Sequence, residues 1–371
     1  MIFIKKILLL FVVCCSIFCV AEDKGTLYKI KNTQSLKGIR GLAAALAVPN
    51  TSFRYTPAMA KEGVLTVLAM TSYAISADNS VLALVESVEQ QDGTFFNRIV
   101  FVEYSRFKVI NGVEFTSAGK IEKIFFFRDK LIMEERGEAA VLKAIGLTRN
   151  LKFISQKLEL PSASSSICMD RDFFYVKCRD KNLLQVNNEL KVNSSIETRR
   201  EGGVIFIKNK SPFLTNFTHD NLEQLRMSRS GIFKSDFKDL ENIPKPESVI
   251  LPIGDQRNFF FTEANGRLHE LVDSSYSEKV DVSAFEMIFL HPFKRTLYLL
   301  ANKKSIIEVV RMSDYRVIRK ISHHSMEPES YKSLKFMIPH RDGVFLITQK
   351  GEFVLIRDRG RRYVKYKIYQ N

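Results

Sequence analysis

Residues 285–321 read FEMIFLHPFKRTLYLLANKKSIIEVVRMSDYRVIRKI, and this stretch decides the fold. Runs of apolar and β-branched residues alternate here with short polar segments, which is the pattern of four short strands separated by tight turns. The same plan recurs over much of the chain: 73–115, 121–160, 166–196, 248–282 and 334–371. The sequence therefore predicts an all-β protein built from repeated four-strand units.

Units of four strands repeated at intervals of about 32 to 50 residues are typical of a β-propeller, in which each unit forms one blade around a central axis. We predict such a propeller of four-stranded blades, with seven blades as the best count and six or eight as the alternatives. Two β-sandwich domains, which also consist of many short strands, are the competing architecture.

The repeated units divide the chain into three parts. Residues 1–21 carry an export signal, residues 22–70 form an N-terminal segment of uncertain structure, and residues 71–371 form the propeller. The pattern weakens around 201–247, which predicts a degenerate blade and an insertion there. Short helices are expected at three places: 36–48, 219–227 and 236–240.

The first 21 residues have the three parts of a secretory signal. Lys5 and Lys6 give it a positive start, and residues 7–20 are apolar apart from one serine. Small residues then precede the bond between Ala21 and Glu22, where we expect cleavage. The mature chain is therefore predicted to begin at Glu22.

This signal predicts a secreted or periplasmic protein. A lipid-anchored form would use Cys15 or Cys19, but the bulky Phe18 stands where lipoproteins carry a small residue before Cys19, so this form is less favoured. An uncleaved N-terminal anchor is the other alternative. No later stretch reaches about 18 consecutive apolar residues, so no transmembrane segment is expected after cleavage.

The chain is basic, with 56 Lys and Arg against 41 Asp and Glu. Loss of Lys5 and Lys6 leaves 54 basic residues (56 less 2) and a net charge of +13. Such a charge favours an anionic partner, and Arg361, Arg362 and Lys365 on the last predicted strand are the expected contacts. Because the basic residues are scattered, nucleic acid is not expected, and the alternative is that they are simply a solvated, charged edge.

Cys168 and Cys178 are the two cysteines that remain after cleavage. An even number of cysteines in an exported protein favours a disulfide between them. A hairpin turn at 170–172 would instead place them roughly 15 Å apart, at ~3.3 Å per residue. The two alternatives are a disulfide and a pair of buried thiols.

Residues 284–321 resemble the YVTN-type repeat of exported β-propellers, whose strand and turn pattern is shared with WD40-like folds. Residues 73–85, YAISADNSVLALV, resemble the opening of the same repeat. The chain contains no Trp, which sets it apart from the tryptophan-docked blades of quinone-binding propellers, and no cofactor is predicted. Its 29 Phe residues are candidates for the packing positions between blades.

Sequence-local catalytic chemistry is absent. The chain has no G-x-S-x-G elbow and no phosphate-binding loop, and neither His323-His324 nor His219-Asp220 has metal-ligand spacing. Glu134, Glu135 and Asp180 are the acids considered for a channel mouth. No catalytic, cofactor-binding or metal residue is predicted.

The function predicted from the sequence is that of an exported, non-enzymatic β-propeller that binds a protein or an envelope polymer. Loops on a rigid scaffold are suited to such binding. The alternative is a propeller enzyme of the hydrolase or lyase type, whose acids would converge on the central channel from different blades. Such a site would leave no local motif.

Overall fold

The computed structural model describes two short N-terminal strands and most of the chain from residue 70 onward. The described residues are 26–28, 64–65, 70–105, 108–147, 151–198, 201–208, 211–215, 221–227, 233–239, 246–250, 259–263, 267–272, 275–285, 287–291, 294, 296–301, 306–322, 337–347, 353–357, 363–366 and 368–369. The predicted signal peptide, its Ala21–Glu22 cleavage site and the helix expected over 36–48 lie outside them.

Antiparallel strands form seven sheets of four or five strands in this part of the chain. Sheet 1 contains β1 (Thr26–Tyr28), β3 (Met70–Ile75), β4 (Val81–Glu89), β5 (Phe95–Glu103) and β6 (Lys108–Ser117). Sheet 2 contains β7 (Lys120–Phe127), β8 (Lys130–Arg136), β9 (Ala140–Gly146), β10 (Lys152–Phe153) and β11 (Leu158–Glu159). Sheet 3 contains β12 (Ser164–Met169), β13 (Phe174–Cys178), β14 (Asn182–Val186) and β15 (Val192–Glu197).

The remaining sheets follow the same plan. Sheet 4 contains β16 (Val204–Lys208), β17 (Ser211–Thr215), β18 (Asn221–Met227) and β19 (Phe233–Asp239). Sheet 5 contains β20 (Pro246–Ile250), β21 (Phe259–Glu263), β22 (Arg267–Val272) and β23 (Ser275–Asp281). Sheet 6 contains β24 (Met287–Leu290), β25 (Thr296–Ala301), β26 (Ile306–Arg311) and β27 (Arg316–Ser322). Sheet 7 contains β28 (Met337–His340), β29 (Gly343–Ile347), β30 (Phe353–Arg357) and β31 (Tyr363–Tyr366).

Each sheet is an up-and-down meander, because its four main strands pair in chain order. Two additions involve the chain ends. Strand β1 pairs with β6 at the outer edge of sheet 1, and β2 (Val64–Leu65) pairs with β32 (Ile368–Tyr369). Strand β1 therefore covers the edge strand of sheet 1, and β2 extends the pairing of the last described strand.

Buried side chains fill the space between neighbouring sheets. Separate apolar clusters join sheets 1 and 2, 2 and 3, 3 and 4, 5 and 6, and 6 and 7. One more cluster joins sheet 7 back to sheet 1, where Ile338 and Phe345 pack with Leu82 and Val100. The last sheet thus meets the first, which is the arrangement of a β-propeller.

A β-bulge recurs near the beginning of the first strand in four sheets. It lies between Met70 and Ser72, Ile121 and Lys123, Ser164 and Ser166, and Pro246 and Ser248. A bulge turns the following side chains toward a new direction and increases the local twist. Its recurrence at equivalent positions marks the sheets as structural repeats.

The all-β prediction is confirmed, but two of the helix predictions are wrong. Strand β18 occupies most of 219–227, and strand β19 occupies most of 236–240. The two strands pair over seven residues, from Asn221 opposite Asp239 to Met227 opposite Phe233. Pairing within the sheet overrides the weak local preference for helix that the sequence suggested. No helix in the described residues could span a membrane.

Candidate functional site

The bulged end of the first strands is where neighbouring sheets exchange polar contacts. Ser72 accepts a hydrogen bond on Oγ from Ile124 N–H of sheet 2, at 3.2 Å. Lys123 donates from Nζ to the Ser164 carbonyl of sheet 3, at 2.6 Å. Ser72, Lys123 and Ser166 each follow a bulge and contact the first strand of the next sheet. We call these three the post-bulge residues.

The most polar of these contacts joins sheets 2 and 3. The Glu134 carboxylate accepts from Ser164 N–H at 2.8 Å and from Ser164 Oγ–H. Lys123 Nζ lies 2.7 Å from Ser164 Oγ and 3.8 Å from Glu134 Oε2. We call Lys123, Glu134 and Ser164 the charged joint.

Burial controls the chemistry of the charged joint. Glu134 is fully buried and Ser164 is 2% exposed, whereas the Lys123 side chain retains 36% of its exposure. Burial lowers the pKa of Lys123, and the nearby Glu134 carboxylate partly opposes this. Charge-assisted hydrogen bonds hold the ammonium and the carboxylate on either side of one hydroxyl group.

A serine between a lysine and a carboxylate is also an arrangement that can activate a nucleophile. Here the Ser164 hydroxyl donates to Glu134 and is shielded from solvent, so a substrate has no access to Oγ. The geometry therefore fits a connection between two sheets.

The seam between sheets 7 and 1 has different contacts. Tyr73 donates from its hydroxyl to the Met337 carbonyl at 3.1 Å, and Tyr104 donates to the Pro339 carbonyl. Burial raises the pKa of both phenols, so they remain neutral donors. We call the contact region of sheets 7 and 1 the closing seam.

Two buried histidines contact the first turn of sheet 7: His291 reaches it from sheet 6, and His340 belongs to it and faces sheet 1. His291 Nε2 is 2.8 Å from the His340 carbonyl and 3.0 Å from the Gly343 carbonyl, so it caps the turn of sheet 7. His340 is 5% exposed, and its Nδ1 accepts from Asp342 N–H at 3.2 Å. Burial lowers the pKa of His340 to about 4.

Sheet 1 also buries charge on the side that faces sheet 7. Glu86, Arg98 and Glu114 lie directly opposite one another on β4, β5 and β6, and each is at least 94% buried. Arg98 forms an ion pair with Glu86. Buried charges of this kind need each other, because a single unpaired charge would be costly to desolvate.

The acids considered for a channel mouth do not converge. Adjacent residues of a strand point to opposite faces, so Glu134 faces sheet 3 while Glu135 lies on the side of sheet 1. Glu135 pairs with Lys143 at 2.8 Å, and Asp180 accepts from Asn182 in a turn. Within the described residues, no group of three or more His, Cys, Asp or Glu side chains could hold a metal ion.

Cys168 and Cys178 are free, buried thiols in the structure. Cys178 lies opposite Ser164 and packs between sheets 2 and 3, whereas Cys168 lies opposite Tyr175 and packs between sheets 3 and 4. The two side chains therefore point to opposite faces of sheet 3. Burial raises the pKa of Cys178 to about 11 and that of Cys168 well above its ordinary value.

One of the three predicted anionic contacts lies within the described residues, on the outer strand of sheet 7. Lys365 is on β31, opposite Val354, while Arg361, Arg362, the pair His323-His324 and the pair His219-Asp220 lie outside the described residues. The outer strand of sheet 6 is described: the side chains of Arg316 and Lys320 are 82% and 65% exposed.

Sheets 6 and 7 are in contact near this edge, because Arg319 Nη1 on β27 donates to the Arg357 carbonyl on β30. Val317 and Ile318 are also exposed on β27, by 43% and 44%. The outer strand of sheet 6 therefore contacts the third strand of sheet 7. We call β27 and β31 the basic edge.

Comparisons with solved structures support the fold. Hsv2 of Kluyveromyces lactis aligns with a TM-score of 0.54 at 11% identity, over 82% of this chain and 98% of that one. A functionally unknown protein of Desulfotomaculum acetoxidans gives 0.53 at 13% identity, over 77% and 99%. The dihydro-heme d1 dehydrogenase NirN gives 0.52 at 12% identity, over 81% and 67%.

At these identities the likeness shows the β-propeller fold. No protein-family model matches the chain, and no curated protein gives a significant match.

Sequence reasoning missed the post-bulge residues and the closing seam. The two post-bulge serines, Ser72 and Ser166, could have been found by aligning the units on their first strands. The segments TSYAI at 71–75 and SSSICM at 164–169 both place Ser just before the apolar residues. The seam gave no such signal, since Tyr73 and Tyr104 contact residues 264 and 235 positions away.

Proposed function

We propose that this chain is an exported β-propeller that binds an anionic protein or envelope polymer through the basic edge. The observation that carries the proposal is the exposure of Arg316 and Lys320 on β27. This strand lies in the sheet next to the one whose last strand, β31, carries Lys365. The net charge of +13 left after cleavage adds long-range attraction for an anion.

The exposed Val317 and Ile318 suit the same role. An anionic macromolecule held by Arg316 and Lys320 would cover these apolar side chains, and their removal from water would add a contribution that salt does not weaken. A merely repulsive edge would need the charges but would gain nothing from exposed apolar residues.

The test is a pull-down from envelope extract at about 0.05 M and about 0.5 M salt, with wild type and a five-fold variant, R316Q/K320Q/R361Q/R362Q/K365Q. We expect wild type to retain its partner at low salt and to lose most of it at high salt, because exposed charges are screened beyond about 8 Å at physiological ionic strength. The variant should fail at both salt concentrations.

A charge-matched control separates location from net charge. Five lysines are exposed on sheets 2 and 3 or their connections, far along the chain from the basic edge: Lys120, Lys152, Lys157, Lys181 and Lys191. The variant K120Q/K152Q/K157Q/K181Q/K191Q, which also loses five positive charges, should bind as wild type does. Equal recovery of partner by all three proteins, or greater aggregation of the five-fold variant with unchanged binding, would overturn the proposal.

A further inference from the structure

In three sheets, a side chain at the start of the turn between the first and second strands accepts hydrogen bonds from backbone N–H groups that follow it. In sheet 3, Asp170 accepts from the N–H groups of Asp172 and Phe173. In sheet 1, Ser76 accepts from Ser80 and Val81 N–H. In sheet 7 the acceptor is His340 Nδ1, which receives Asp342 N–H.

Of these three acceptors, His340 is the one that can change its charge in mildly acidic solution. A protonated imidazole carries a hydrogen on both ring nitrogens and accepts no hydrogen bond. Protonation would therefore set two N–H groups against each other in the turn. It would also place a positive charge in a site that is 5% exposed to solvent.

The place of His340 makes this event matter for the whole ring. Its ring packs against Tyr104 of sheet 1 at 6.0 Å and against Phe345 of sheet 7 at 4.9 Å, measured between ring centroids. The carbonyl of Pro339, the residue before it, accepts a hydrogen bond from the Tyr104 hydroxyl. The carbonyl of His340 itself lies within hydrogen-bond distance of His291 Nε2. A shift of this turn would disturb the contacts that join sheets 7 and 1.

The charged groups around His340 shift the pKa of its ring in both directions. Asp342, in the same turn, favours the protonated imidazole, whereas Arg341, Lys294 and His291 oppose it. Tyr73 and Tyr104, which face the turn from sheet 1, stay neutral in acid because burial raises their pKa. Burial, which has the largest effect, and the neighbours Arg341, Lys294 and His291 together outweigh one carboxylate, so the folded turn favours the neutral ring.

We propose that the His340 turn is an acid-sensitive latch of the closing seam: it holds sheets 7 and 1 together at neutral pH and releases them as the pH falls. The pKa of His340 is about 4 in the fold, against about 6.5 when the residue is free. Its contribution to closure is therefore fully present above about pH 6.5 and is lost as the pH falls toward about 4.

Hydrogen exchange followed by mass spectrometry tests this latch in the whole protein at about pH 7.5 and about pH 5, after correction for intrinsic exchange rates. The opening equilibrium of β28 and β29 should rise about 30-fold on acidification, since the seam loses tenfold per pH unit between the two pKa values. The seam between sheets 2 and 3, which packs Phe125 and Phe174, is the internal control and should change little.

His340→Asn supplies the matched variant, because an amide oxygen can accept Asp342 N–H, as Asp170 does in sheet 3, and does not titrate. Its seam should exchange equally at both pH values. A flat response in wild type overturns the proposal, as does an equal acid response in wild type and variant. If His340→Asn does not fold, the wild-type comparison of the two seams decides: equal acid-induced opening of both overturns the latch.

Discussion

The charged joint between sheets 2 and 3 and the closing seam between sheets 7 and 1 perform the same task with different chemistry. The joint places a partly exposed lysine and a buried glutamate around one buried serine hydroxyl. The seam relies on neutral tyrosine hydroxyls that donate to backbone carbonyls. Both connect neighbouring sheets at a buried surface.

The difference follows from how the chain connects each pair of sheets. Only residues 160–163 separate sheets 2 and 3, so little chain entropy is lost when they meet. The residues that meet at the closing seam are 235 and 264 positions apart. No short connection holds the two sheets of the closing seam near each other, so their side-chain contacts must keep them together. We infer that the seam opens before the joint when the protein is destabilised.

The largest expected effect is at the joint. Glu134→Ala removes the acceptor of Ser164 N–H and Oγ–H and leaves the Lys123 ammonium without its carboxylate. We expect a loss of about 3 kcal/mol in the free energy of unfolding, because the buried N–H and hydroxyl of Ser164 both lose their acceptor. Chemical denaturation of wild type and variant measures it.

The control for this change is Glu122→Ala in the same sheet. Glu122 pairs with Arg136 at 3.1 Å, but both side chains are at least 30% exposed. Its loss should cost less than about 1 kcal/mol. If both substitutions cost the same, the charged joint does not stabilise the protein.

The second effect concerns Gly343 in sheet 7. A Cβ atom there would lie 1.7 Å from the Ile356 carbonyl oxygen of the neighbouring strand, so Gly343→Ala must push β29 and β30 apart. We expect a loss of about 3 kcal/mol, as for a severely overpacked core site. Thermal unfolding is the measurement.

Gly146→Ala is the matched control in sheet 2, since its nearest atom would be the Lys152 carbonyl oxygen at an ordinary 3.8 Å. This variant should unfold within a few degrees of wild type. An equal melting temperature for the two alanine variants would contradict the close approach at Gly343.

The third effect is smaller and local to the seam. Tyr104→Phe leaves the buried Pro339 carbonyl without its hydroxyl donor and should cost about 1–3 kcal/mol. Tyr175→Phe removes a similar buried hydroxyl that donates to Asp170 at 2.7 Å within sheet 3. Hydrogen exchange should rise in β28 for the first variant and in β12 for the second. The same exchange pattern in both variants would contradict a distinct seam.

The fold could be predicted because its signal is local. Alternation and turn residues within 285–321 predicted four strands, and β24 to β27 lie there. The pairing of β18 with β19 was missed, because polar residues such as Asn221 and Glu223 carry no strand signal without their cross-strand partners. The blade count of seven and the boundaries of the N-terminal segment stay predictions.

The candidate sites were less accessible to sequence reasoning for a physical reason. The charged joint combines Lys123, Glu134 and Ser164, whose spacing resembles no motif because three different strands supply them. The closing seam joins residues from the first and last sheets, which are more than 200 positions apart along the chain. Of the basic edge, Lys365 on β31 was named in advance, since charge on an outer strand can be read directly from its residues, whereas Arg316 and Lys320 on β27 were not.

The smallest expected effect uses the two thiols as reporters and leaves the fold unchanged. Cys178 packs in the cluster between sheets 2 and 3, and Cys168 packs between sheets 3 and 4. Because burial raises the pKa of both thiols, iodoacetamide should modify neither in the native protein at about pH 8. In the mature chain expected after cleavage at Ala21–Glu22, both should react only after unfolding, and intact mass should then show two alkylated thiols.

The same reagent can separate the joint from the seam. Glu134→Ala loosens the surface that covers Cys178, so alkylation of Cys178 should become faster than that of Cys168. Gly343→Ala acts in sheet 7, away from the sheets that hold the two thiols. It should therefore speed the alkylation of both thiols equally, through global unfolding. Faster reaction of Cys168 than Cys178 in Glu134→Ala would place the loosened surface between sheets 3 and 4. That result would contradict the assignment of Glu134 to the joint between sheets 2 and 3.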